Sequence, residues 1–288
     1  MKNSIETKVI AFLMVLILPF SYLWIQTAFY LGGYIGLNVV GMSQERVVDV
    51  LNSNYFLTDT ILCFLMLYFY FPWYWIVEKT NIGKTKQDFY LANQQPPIRI
   101  RDRWIWLKAV VITIGTTGVS NLWMQVVSNF FYEENILGLG ESLDSFTETW
   151  TMNGQESWVW IYGSVVILGP LIEELVFRGL QFHYAEKIRP GWVTILVTAF
   201  AFGLWHGEPV QVVYTFIIGI ALGIVYHYSK SMLVVTVMHI LNNFFSQIFS
   251  DLDIPILYLA FDWMGYLMII PAMILLFRMR PRKLLENR

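Results

Sequence analysis

An apolar segment long enough to cross a bilayer contains the stretch GPLIEELVFRG (169–179), with adjacent carboxylates at Glu173 and Glu174 and a guanidinium at Arg178. A charged side chain at the centre of a membrane costs about 2.5–3.5 kcal/mol on insertion scales, so such groups face a protein interior or a wet cavity. Two further apolar segments carry polar groups at helical spacing. FGLWH places His206 four residues after Phe202, and HILNN places Asn243 four residues after His239. Helix geometry sorts these groups. Glu174 and Arg178 stand i, i+4 with the acid first, the favourable order for an ion pair. Glu173 lies about 100° round the same helix and is left without that partner. Glu174 is therefore expected to turn to Arg178 and away from the histidines.

One unpaired carboxylate, two imidazoles and one carboxamide are parts for hydrolysis of an acyl bond by water. A carboxylate held out of water is a usable general base near neutral pH. Histidine orients a water or donates a proton. An Asn amide donates a hydrogen bond to a developing oxyanion. The bland alternative is a buried polar network that only ties helices together, but ionisable residues inside membrane segments are functional by default.

The elements that position these groups are apolar helices. Of the 288 residues 56% are hydrophobic and 14% charged, against about 25% charged in soluble domains. A span needs about 20 mostly apolar residues. Candidates fall near 9–31, 57–77, 104–127, 158–182, 192–207, 211–228, 232–250 and 256–277, so the expectation is an all-α membrane protein of about eight transmembrane helices. The first is read as an uncleaved span bent at Pro19. The chain reads as one polytopic domain over 1–288, without repeats.

With eight spans, Lys2 and Lys8, the cluster from Lys79 to Lys108, Lys187 and Arg189, Lys230, and the basic residues from Arg278 to Arg288 all share one side. Arg46 is the only basic residue in a loop on the other side, whose loops carry Glu133, Glu134, Glu141, Asp144, Glu148, Glu156, Asp251 and Asp253. This places both termini in the cytoplasm. The net charge of −2 points to no nucleic-acid partner, and the lone Cys63 excludes a disulfide framework or a cysteine metal site. Asp59, Asp262, His183 and His227 sit toward span ends, where polar groups reach headgroups or water.

The motifs EELVFR (173–178), FGLWH (202–206) and HILNN (239–243), in this order on separate helices, resemble Glu-Glu-x-x-x-Arg, Phe-x-x-x-His and His-x-x-x-Asn of the CAAX-protease and bacteriocin-processing (CPBP, or Abi) family of intramembrane proteases. The resemblance covers roughly 160–250 and identifies 158–250 as the catalytic core. It implies an eight-helix membrane fold with a polar intramembrane catalytic cavity, and endopeptidase activity on a peptide or protein in or at the lipid bilayer. By position, Glu173 activates the water with His206 assisting, His239 and Asn243 polarise the scissile carbonyl, and Glu174, Arg178 and Phe202 support the site. Alternatives from other classes are an ion- or proton-coupled transporter and a catalytically idle immunity or regulatory scaffold of the same fold.

The resemblance implies no metal and no cofactor. The chain lacks a His-Glu-x-x-His signature, yet Glu173, His206 and His239 leave zinc open. Two irregularities accompany the motifs. The fifth span is short and ends in HGEPVQ, so it is expected to stop inside the membrane beside a polar cavity. Pro170 removes one helical hydrogen bond just before Glu173 and is expected to kink its helix.

Overall fold

The computed structural model describes residues 5–79, 103–153, 157–252 and 254–279. Lys2, Lys84, Lys86, Arg99, Arg101, Glu156, Asp253 and the basic residues from 280 onward lie outside the described residues. All regular elements among the described residues are helices. They are α1 (Ile5–Val39), α2 (Gln44–Ser53), α3 (Tyr55–Lys79), α4 (Arg103–Val126), α5 (Leu139–Asn153), α6 (Trp158–Ile188), α7 (Trp192–Trp205), α8 (Pro209–Ser229), α9 (Met232–Leu252) and α10 (Pro255–Arg278). Six of them (α1, α3, α4, α6, α8 and α10) are long and apolar enough to cross a membrane, and α7 and α9 are shorter apolar helices. The protein is an integral, multi-pass, all-α membrane protein. Large apolar side chains such as Trp24, Phe69, Trp263 and Phe277 stay exposed, as the lipid-facing surface of such a bundle requires.

Backbone groups freed by proline are taken up by neighbouring helices. Pro19 has no N–H to offer the carbonyl four residues back, that of Val15. The buried Gln181 of α6 donates its Nε2 to Val15 O at 2.9 Å, so the break in α1 becomes its tie to α6. Between α4 and α10 the contact is backbone on backbone: a Cβ on Gly118 would collide with the carbonyl of Gly265. Small residues permit such close approach in lipid. Asn121 Nδ2 donates to Asp262, and Gln125 Nε2 to Tyr266 Oη at 2.7 Å, along the same seam. Asp262 is thus 7% exposed and bonded across a helix interface, a correction to its expected place at the membrane surface. The sequence pattern showed neither its burial nor its partner, since both come from the neighbouring helix.

The acidic connection read as a loop contains helix α5. Its Ser142 Oγ donates to Glu208 Oε2 at 2.9 Å and accepts from Val210 N at 3.1 Å, while Ser145 Oγ donates to Glu208 Oε1 at 3.1 Å. Trp123 Nε1 of α4 donates to Val210 O at 2.9 Å. Ser142 therefore caps the first turn of α8 from another helix and pins the segment that follows His206.

Candidate functional site

Glu173 and Glu174 lie on a single α-helical turn, Gly169–Glu174, set between two π-helical stretches of α6, Tyr162–Leu168 and Leu175–Gln181. The wider register is visible at both ends: Gly169 N–H bonds Ser164 O and Phe182 N–H bonds Phe177 O, each five residues back. Such π turns recur at functional sites. Pro170, where a disturbance of the helix is expected, opens the α-helical turn at this change of register. Proline marks the place, and the first π stretch packs against α3 and α9.

Arg178 and Glu174 are fully buried and paired, Nη1 donating to Glu174 Oε1 at 2.9 Å. Arg178 also places Nη2 3.3 Å from Gly219 O of α8, and its guanidinium lies 4.5 Å from the centroid of the Phe202 ring. The i, i+4 spacing thus gave the intrahelical partner correctly. It missed a second: His239 Nδ1 of α9 donates to the same Glu174 Oε1 at 2.8 Å. Glu174 does not turn away from the histidines, and it is the acid that orients one of them. A carboxylate oxygen accepts two hydrogen bonds, and helical spacing says nothing of the donor that a neighbouring helix brings.

With Nδ1 bonded to Glu174, the other nitrogen of His239, Nε2, stands 3.6 Å from Glu173 Oε2. Glu173 keeps 12% of its side-chain surface exposed where Glu174 keeps none. A water about 2.8 Å from each atom would donate to both. His206 lies just beyond the end of α7, whose last residue is Trp205, and Gly207 turns the chain at φ 80° before Pro209 opens α8. The short helix expected here does stop at the histidine. His206 Nδ1 donates to Phe202 O at 2.9 Å, which fixes the tautomer and leaves Nε2 as the remaining acceptor. Phe202 is the hub: its ring meets His206 edge-on at 4.9 Å, His239 at 5.7 Å and Phe177 at 5.1 Å. Glu173 makes no direct hydrogen bond to His206.

Asn243 lies on the same helix as His239, but one of its amide donors is engaged: Nδ2 bonds Val165 O of α6 at 2.9 Å. Its Oδ1 lies 3.4 Å from Asn242 Nδ2, and Asn242 Oδ1 is 3.0 Å from Thr117 Oγ1 of α4. Asn242, although it stands inside HILNN, Gln181 and the Ser142–Glu208 contact are not singled out by residue type or spacing. Two further groups lie on the α1–α3 side. Tyr22 packs edge-on against Trp205 at 4.5 Å. Asp59 lies in the second turn of α3, toward the end of its span, where the sequence places it. Among the described residues no three His, Cys, Asp or Glu side chains are grouped to hold a metal ion.

No curated protein and no solved structure matches the chain significantly. Residues 155–245 match the model of a family described as type II CAAX prenyl endopeptidase Rce1-like. That segment, about a third of the chain, holds all three motifs, with both glutamates, Arg178, both histidines and Asn243, and over these residues the chain is similar to that family.

Proposed function

We propose that the protein is an intramembrane endopeptidase in which Glu173 activates the attacking water, with residues 158–250 as the catalytic core of a single membrane domain. The observation that carries this reading is the Glu173 Oε2–His239 Nε2 gap of 3.6 Å, set while His239 Nδ1 is held by Glu174. A water between the two has its oxygen free to attack a scissile carbonyl carbon. Its proton passes to Glu173 and then to the leaving amine, so the products are a carboxylic acid and an amine. His206, with Nε2 unengaged, is the group left for the substrate side. The arrangement Glu174–His239 fixes the imidazole before substrate arrives, which lowers the reorganisation needed in the transition state.

The substrate class is a membrane-associated peptide, and a prenylated CAAX tail is the first to test because the matched family is described by it. The basic loops and both termini face the cytoplasm in this reading. Purified protein in detergent is incubated with a farnesylated CAAX peptide and the products are read by mass spectrometry. Release of the three C-terminal residues by wild-type protein and its loss in Glu173→Gln supports the reading. Equal cleavage by both rejects it.

A further inference from the structure

The bond between Asn243 and Val165 has a cause in the chain itself. Gly169 N–H reaches back five residues to Ser164 O. Carried one residue further, that register would make residue 170 the donor to Val165 O. Residue 170 is proline and has no N–H to give. Val165 O is therefore left open by Pro170 and is filled from α9 by Asn243 Nδ2 at 2.9 Å. The bond is partly buried, and a carbonyl partly shielded from water inside an apolar bundle is disfavoured without a donor, so the two side chains act as a pair although they lie on different helices.

Resting on the reading of Glu173 as the base, we infer that Asn243 is a positioning residue: through the carbonyl that Pro170 frees, it fixes the start of the turn carrying Glu173 against the helix carrying His239. The Glu173 turn begins at Gly169, four residues from Val165, and His239 lies one helical turn before Asn243. The Asn243–Val165 bond and the His239–Glu174 bond are thus two rungs between the same two helices. Together they fix both distance and rotation of α6 on α9, and so the 3.6 Å gap between Glu173 and His239. A bond made only to a developing oxyanion would not depend on Pro170.

The test is a cycle of Pro170→Ala, Asn243→Ala and the double variant in the full chain. Asn243→Ala is expected to lower the unfolding midpoint in detergent by about 2–4 °C, the order expected for a partly buried acceptor stripped of its donor. In the Pro170→Ala background, where residue 170 regains an N–H, the same change is expected to shift the midpoint by less than half as much. With the farnesylated CAAX peptide, Asn243→Ala is expected to lower kcat at least tenfold with KM within about twofold, and the double variant to recover part of that kcat. Equal midpoint shifts in both backgrounds, or a kcat loss that Pro170→Ala leaves untouched, would overturn the proposal. If Pro170→Ala does not fold, hydrogen exchange decides: Asn243→Ala is expected to speed exchange at Gly169 and Leu171, and unchanged exchange there rejects the positioning role. The midpoint and exchange readings need no turnover, so a protein that cleaves nothing would fail the endopeptidase reading while these still decide the bond.

Discussion

Removal of Arg178 tests the buried charge network most sharply. Its guanidinium is 1% exposed, bonded to Glu174 at 2.9 Å and stacked over Phe202. Arg178→Ala leaves a fully buried Glu174 with only His239 as donor. Breaking a buried pair from one side costs about 3–5 kcal/mol. A protein of this size loses about 2–4 °C of midpoint per kcal/mol, so the expected fall is roughly 6–20 °C. Glu174→Gln is expected to cost less, because the carboxamide oxygen still accepts from Arg178 or His239. The double variant is expected to be milder than the sum by about 0.5–3 kcal/mol, the range for groups in direct contact. Thermal unfolding in detergent followed by tryptophan fluorescence reads all four corners. Additive losses, or a midpoint within 2 °C of wild type for Arg178→Ala, would refute the reasoning that this pair is a buried unit.

Other consequences follow from contacts outside the three motifs. Ser142→Ala removes the donor to Glu208 and the cap on Val210, with an expected loss of about 0.5–2 kcal/mol and faster hydrogen exchange in the first turn of α8; Glu208→Gln, which keeps the acceptor, is expected to be milder in both readings. Gly118→Leu places a side chain where the Gly265 backbone stands, so the α4–α10 seam is expected to open and the yield of folded protein in detergent, measured by size exclusion, to collapse. Gly36→Ala, at a position with open space around it, is expected to leave that yield unchanged.

Much of the helical plan was legible because lipid imposes it. A run of apolar residues in a bilayer has little alternative to a helix, and the six long helices and the shorter α7 and α9 lie where the apolar runs predicted. The Glu174–Arg178 pair was legible for a similar reason, since i, i+4 contact is a property of one helix alone. What escaped depends on two helices at once. His239 reaches Glu174 only because α9 packs beside α6. The π register around Glu173 reflects that packing together with a proline whose orphaned carbonyl is answered 78 residues away. Helix α5 escaped because its acidic residues masked a buried edge, where Leu139 and the half-buried Leu143 and Phe146 pack beside Val127 and Val210.

The central claim is that Glu173, and not Glu174, carries the proton of the attacking water. Glu173→Gln keeps the shape and removes the base. With a cleaved peptide in hand, single-turnover rates of wild-type and Glu173→Gln protein, each shown to be folded by its unfolding midpoint, measure that claim directly. The expected loss is at least about 10²–10⁴-fold at an unchanged midpoint. Turnover within a few-fold of wild type would contradict it.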